Sequence, residues 1–381
     1  MIIANTVDKR RKAQCGEMIK TACLLTLTAV VMCCPRAVAQ GVSDGVQLCI
    51  AVVVPSLFFM MATVVLLVQC GVAAKAARWL APVARSIFAL PGEAASAMLL
   101  AMTGGYPAGA KAVCELYEQG VVTRDEAERM AQFCFCAGPA FILGVLGTAT
   151  DSASAALLLA VQTITVPLMG VATRILWRKN TDHTENRAIK REAKTKRTLS
   201  EAIVYSVRQT ASAMLMVCLF VTVFSAVRAL MEHFGITEAI EQLCVRCGMS
   251  EGLAQAIVPM TLEVTGGCTA AVRAGLPAVA FAIGFGGIAV HMQVMAICAP
   301  LGLRYGRFFV MRLLQGAVCA ALTYICMPMV SRGVEASTAA VQSEKIIPAL
   351  SATPMGSTAL LVMCVMCALC MSDSILQARR V

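Results

Sequence analysis

Lys111, Glu263, Arg273 and His291 lie inside or at the edge of long apolar stretches. An ionisable group at membrane depth is rare and costly, so each marks a functional hypothesis: a polar path, a proton relay or a solute contact. Two similar strings accompany them. Thr103-Gly104-Gly105-Tyr106-Pro107 precedes Lys111, and Thr265-Gly266-Gly267 stands between Glu263 and Arg273. Gly and Pro at these positions predict broken helices. A break frees backbone N–H and C=O groups that lipid cannot satisfy, and the half-helix ends offer partial charge to a polar solute. The candidate solute contacts are therefore Gly104, Gly105, Tyr106, Pro107 and Lys111 at the first break, and Glu263, Thr265, Gly266 and Gly267 at the second. His291 and Gln293 join them because they follow Gly284-Phe285-Gly286-Gly287, where backbone approaches closely. Each has a plainer reading. The glycines would serve close helix packing, Lys111 would pair with Glu115 one turn on or snorkel to the interface, and Arg273 would mark a rim.

No nucleophile triad, phosphate-binding loop or metalloprotease helix is legible. No catalytic residue, metal site or cofactor is assigned, and an enzyme is not expected. Most of the 19 cysteines lie in apolar runs, as at Cys33-Cys34, Cys218, Cys298, Cys319 and Cys326. There Cys acts as a small hydrophobe. The spacings Cys244-x-x-Cys247 and Cys364-x-x-Cys367-x-x-Cys370 lack a His partner or a nearby second pair.

The elements that must position these groups are apolar helices. Of 381 residues 59% are hydrophobic and 14% charged, with a mean hydropathy of +0.76; soluble domains sit near 45–50% and about 25%. The class is an all-α polytopic membrane protein of the cell membrane. Nucleic-acid binding is excluded, the bilayer and a small polar solute are the expected partners, and a homo-oligomer is compatible with the class. The net charge of +10 is concentrated at the ends of apolar blocks, which makes it a topology signal.

Residues 1–40 hold the basic Lys9-Arg10-Arg11-Lys12 and a first apolar run, read as an uncleaved span or as a signal peptide before Ala37-Val38-Ala39. Further spans are expected near 46–72, 133–148, 154–176, 202–230, 277–299, 308–330 and 358–371. That makes about eight, each needing roughly 20 residues if it crosses unaided. The pieces 93–118 and 252–274 are too short and broken to cross, and read as two re-entrant hairpins. Residues 76–90 form an interfacial amphipathic helix, and Thr123 with Glu126 forms a capping box. The chain divides into a first repeat over 41–177, a basic cytoplasmic loop over 178–200, a second repeat over 201–330, and a C-terminal loop and short span over 331–381.

The repeat rests on Thr-Gly-Gly, an Ala three positions on, a basic residue and a final Ala, all matching at an offset of 162. The charges place the two hairpins on opposite sides, so the halves are inverted. Inverted repeats with interrupted segments are a transporter arrangement, with the breaks at the binding site. On this reading Cys268 lies at the mouth of the second hairpin, and Cys114 on the returning limb of the first.

Several strings resemble the YlbJ-like sporulation integral-membrane proteins. They include Pro55-Ser56-Leu57-Phe58, Leu90-Pro91-Gly92, Gly105-Tyr106-Pro107-Ala108-Gly109-Ala110-Lys111, Gly138-Pro139-Ala140-Phe141-Ile142, Leu262-Glu263-Val264-Thr265-Gly266-Gly267-Cys268, Gly286-Gly287-Ile288-Ala289-Val290-His291-Met292-Gln293 and Arg312-Leu313-Leu314. The resemblance covers about 45–330 in order. It departs at Phe135-Cys136-Ala137, where that family often carries polar residues. That family is similar to the Gate, or nucleoside-recognition, domain of concentrative nucleoside transporters and of the ferrous-iron transporter FeoB. The resemblance implies a role in spore formation, either as a transporter-like protein or as a non-transporting scaffold or sensor for spore-envelope assembly.

Overall fold

Long apolar runs free of turn residues become long helices, and Gly, Pro or a capping side chain ends them. The structure, a computed structural model, describes residues 28–70, 72–176 and 198–341, with isolated positions between 18 and 26. The expected span at 358–371 and nearly all of the 178–200 loop lie outside the described residues, as do residues 1–17.

In chain order the helices are α1 (Pro35–Leu48), which continues through a wider turn at Cys49–Val53, α2 (Val54–Gln69), α3 (Val72–Phe88), α4 (Ala94–Gly104), α5 (Tyr106–Glu118), α6 (Arg124–Met130), α7 (Ala140–Ala149) and α8 (Ser152–Leu176). Beyond residue 198 come α9 (Leu199–His233), α10 (Ile236–Arg246), α11 (Glu251–Leu262), α12 (Val264–Ala271), α13 (Leu276–Phe285), α14 (Gly287–Ile297) and α15 (Tyr305–Val341). No strand occurs among the described residues.

Among the described residues, four units are long and apolar enough to cross a membrane: Ser152–Leu176, Leu199–His233, Leu276–Ile297 and Tyr305–Pro328. A fifth forms if Pro35–Val53 and Leu57–Leu67, bent by 59°, count as one span. This is fewer than the sequence reading expects. The expected 133–148 span is instead a buried non-helical run over 131–138 followed by the 10-residue α7. At 1.5 Å per residue such a helix covers about half of a hydrocarbon core of about 30 Å. The first residues of the expected C-terminal loop, 331–341, are helical as the end of α15, and the rest of it lies outside the described residues.

Close-packed small residues join the long helices. Gly41 and Gly45 of α1 face α9, where an added Cβ would fall 2.6 Å from the Ala226 Cα and 2.7 Å from the Thr222 Cα. Gly284 of α13 meets Gly316 of α15 in the same manner, at 2.6 Å. Where lipid supplies no hydrophobic drive between helices, such contacts carry the packing. Ile203, Val204, Val207, Leu215, Leu219 and Val223 of α9 stay exposed, an apolar face suited to acyl chains rather than water.

The capping boxes form as their spacing predicts. The Glu126 carboxylate accepts from the Thr123 backbone N–H at 2.6 Å, and Glu201 does the same for Thr198 at 2.9 Å.

Candidate functional site

The first break falls at Gly105. Its φ of +81° and ψ of −170° exclude a side chain at low cost, and Tyr106-Pro107 then opens α5 with Pro in the first turn. Helices α4 and α5 fold back on each other as a hairpin, because Gly109 lets α5 approach Ala101 of α4. The run 131–138 lies across this hairpin. A Cβ on Gly138 would stand 3.1 Å from the Gly105 nitrogen, and the Cys136 thiol donates to the Ala101 carbonyl at 3.1 Å.

The second break differs from the expectation. Thr265-Gly266-Gly267 is not the break but the first turns of α12, and the interruption is Glu263 itself, extended at φ −149° and ψ 142°. The Glu263 carboxylate explains this. Its Oε1 accepts from the Thr265 N–H at 2.7 Å and its Oε2 from the Gly266 N–H at 2.8 Å. The side chain thus caps the helix that it starts, satisfying two of the orphan donors.

Helices α11 and α12 form a second hairpin, and Gly267 seats it. A Cβ there would meet the Met260 Cα at 2.5 Å and the Pro259 carbonyl at 3.0 Å. Gly267→Ala should therefore lower thermal stability by about 1–3 kcal/mol, the usual cost of overpacking. An unchanged melting temperature in detergent would refute that packing role.

A third interruption separates α13 from α14 at Gly286-Gly287, with φ of +89° and +71°. It lies directly behind Glu263: a Cβ on Gly287 would be 3.0 Å from the Glu263 Cα. The carbonyls freed at the end of α13 are taken by Arg312, which is 0% exposed. Its Nε donates to the Phe285 carbonyl at 3.2 Å and its Nη2 to the Gly284 carbonyl. Nη1 donates to the Phe135 carbonyl at 2.5 Å and to the Gln315 Oε1 at 2.7 Å. Tyr106 completes the junction by donating its hydroxyl to the Ile283 carbonyl at 2.6 Å. The sequence reading treats Arg312 only as part of a family string. The available signal is that it is the single charged residue between 308 and 330, a position that intramembrane charge makes informative.

Three cavities run through this junction. The central one, of about 70 Å³, is lined by Thr103 to Pro107, Gly138, Glu263 to Thr265 and Gln293. A second, of about 250 Å³, shares Met61, Pro107, Val217 and Gln293 with it and adds Lys111, Glu115, Gln209 and Thr210. The Thr210 hydroxyl is buried and has no hydrogen-bond partner. A third, of about 480 Å³, shares Glu263 with the central one and adds Asp44, Arg228, Gly266, Gly267, Thr269 and Arg273.

The sequence-predicted residues therefore divide. Gly104, Gly105, Tyr106, Pro107, Glu263, Thr265 and Gln293 meet at the central cavity, Lys111 lines one neighbour, and Gly266 and Gly267 line the other. His291 lines none of the three. Its ring packs among Phe285, Phe308 and Phe309, with centroids 4.8, 5.1 and 5.9 Å away, and its Nε2 lies 3.0 Å from the Phe285 carbonyl. The expectation for Cys268 is also corrected: it is fully buried, not at a mouth.

The family model Gate, described as nucleoside recognition, matches residues 50–237. That match spans the first hairpin and the run crossing it. Over 329 residues the chain is 28% identical to the sporulation integral membrane protein YlbJ of Bacillus subtilis (strain 168), covering 79% of this chain and 80% of that protein. The chain is similar to the YlbJ-like Gate-domain proteins. With its long apolar helices, that likeness makes it a multi-pass integral membrane protein. No solved structure matches it. The YlbJ-like strings Gly105 to Lys111, Gly138-Pro139 and Leu262 to Cys268 each contribute to the central cavity, through Gly105 to Pro107, Gly138 and Glu263 to Thr265.

Proposed function

We propose that this YlbJ-like protein moves a small polar solute across a membrane during spore formation, along the three joined cavities. The observation that carries the reading is that the two hairpin tips line one cavity together with Gly138 of the 131–138 run and Val290 and Gln293 of α14, and that Glu263 lines both it and the next. Lipid cannot satisfy interrupted backbone, so such segments belong where water or solute reaches them. On this reading α4–α5 and α11–α12 are re-entrant hairpins in an inverted repeat, approached from opposite faces. Supporting it, the tips share the central cavity, while the limb carrying Lys111 lines one flanking cavity and the limb carrying Arg273 lines the other. Lys111, Gln209, Thr210, Gln293 and Glu263 supply polar contacts to the solute. No group here is read as catalytic.

Two measurements test the proposal. Ala108→Cys and Thr269→Cys line opposite flanking cavities. In a background without other reactive thiols, an impermeant maleimide should label Cys at 108 only from the cytoplasmic side and Cys at 269 only from outside. Labelling of both from one face would overturn the inverted arrangement. In a Bacillus subtilis strain lacking YlbJ, expression of this chain should restore a solute distribution between forespore and mother cell that the deletion disturbs. Restored spore yield with an unchanged metabolite profile would favour the scaffold reading instead.

A further inference from the structure

Two thiols outside the solute path meet in the core. The sulfurs of Cys114 on α5 and Cys298 at the end of α14 are 3.3 Å apart, and both residues are buried. They are 184 positions apart in sequence, and neither lies in a motif that would pair them. The Cys114 thiol also reaches the Ile297 carbonyl at 3.5 Å, and the Cys298 thiol the Ala110 carbonyl at 3.9 Å.

The surrounding contacts hold the two sulfurs together. Beyond α5, the Arg124 Nε donates to the Leu301 carbonyl at 3.1 Å and its Nη2 to the Gly302 carbonyl at 3.4 Å. Glu128 and Arg304 form an ion pair at 3.3 Å. Tyr106 anchors the start of α5 to the Ile283 carbonyl. Each of these ties the α5–α6 unit to the segment from α13 to Arg304. A bonded pair of sulfurs sits about 2.05 Å apart, so rotation of two side chains on helices already in contact brings them within reach.

We infer that Cys114 and Cys298 are an oxidisable dithiol that closes to a disulfide and locks the returning limb of the first hairpin to the end of α14. The reagent class is a low-molecular-weight disulfide. One cysteine thiolate attacks a sulfur of that disulfide, forming a mixed disulfide and expelling one small thiolate. The second cysteine thiolate then attacks the protein sulfur of the mixed disulfide, forming the Cys114–Cys298 bond and expelling the other small thiolate. The protein gives up two electrons, the small disulfide gains them, and the two thiol protons pass to the released thiolates.

The reagent is expected to approach from the side of the sequence neighbours. Glu115 and Ile297, the sequence neighbours of the two cysteines, line the cavity of about 250 Å³ that also holds Lys111. Closure would fix that cavity wall and so hold α5 against movement relative to α14, which carries Gln293.

The test uses the full chain in detergent, exposed to oxidised glutathione, then blocked, digested and mapped by mass spectrometry. Cys247, which is exposed, serves as an internal control for oxidant activity. The expected result is a linked peptide joining Cys114 to Cys298 that dithiothreitol releases, and that neither Cys114→Ser nor Cys298→Ser yields. The oxidised wild type should also label an Ala108→Cys reporter several-fold more slowly than the reduced form, with the difference absent in the Cys298→Ser background. Glutathione adducts at Cys247 without a Cys114–Cys298 link, or a link in which either cysteine pairs elsewhere, would overturn the proposal. A link that forms without changing the reporter rate would overturn the lock.

Discussion

Replacing Glu263 by Gln should leave the protein inserted and folded while reducing solute-dependent function about tenfold or more. The carboxylate does two things at once. Its oxygens each accept a backbone N–H of α12, from Thr265 and Gly266, and it stands between the central cavity and its larger neighbour. Gln keeps one acceptor and turns an NH2 toward the other backbone N–H. The lost bond costs about 1–3 kcal/mol, a tolerable fraction of a total stability of about 5–15 kcal/mol. What Gln cannot keep is the negative charge at the constriction. Asp retains charge and capping ability with a shorter reach, so Glu263→Asp should recover part of the function. The readouts are rescue of the YlbJ-deficient strain and a melting curve for each purified variant. A Glu263→Gln protein that rescues as well as wild type would remove Glu263 from the path.

The second large effect is structural. Arg312→Met should abolish accumulation of folded, monodisperse protein, whereas Arg312→Lys should leave a reduced but measurable amount. Met fills the space and removes every donor. The carbonyls of Phe285, Gly284 and Phe135 would then lose the partner seen here, each at about 1–3 kcal/mol. Together those losses approach the stability of a typical domain. Lys offers a single ammonium, which cannot reproduce a planar fork aimed at several oxygens. Size-exclusion profiles of the wild type and both variants, expressed in parallel, decide the matter. A monodisperse Arg312→Met protein at wild-type yield would show that these carbonyls find other partners.

The two residues explain why the site reads so differently from its parts. Glu263 and Arg312 are both charges in apolar surroundings, yet one is bound by N–H groups at a helix start and the other by C=O groups at a helix end. Each complements the partial charge left by a broken helix. The glycine breaks and the residues that neutralise them thus form one structural unit.

Much of this was legible in the sequence. Composition and block charge determined the membrane class. The Gly/Pro interruption at Gly105-Tyr106-Pro107 placed the first break, because no other residue pair accommodates a left-handed turn followed by a helix start so readily. Thr123 with Glu126 gave a helix start, since a capping box is a local interaction between residues three apart. Glu263 was legible as a functional candidate because charge in lipid is costly.

Tertiary structure alone decided the rest. Gly266 and Gly267 looked like a break, but glycine also serves close packing, and only the Met260 backbone facing Gly267 distinguishes the two uses. His291 looked like a solute ligand, and only its ring of phenylalanines shows that it packs behind the Gly286-Gly287 turn. The number of crossing helices depended on whether the 133–148 stretch stays helical. There the backbone leaves the helix, and the Phe135 carbonyl takes its donor from Arg312, 177 residues away. The pairing of Cys114 with Cys298 has no sequence signal at all. Hydropathy and capping act within a few residues, whereas a buried polar atom takes its partner from wherever the chain folds back, and that partner is chosen by packing.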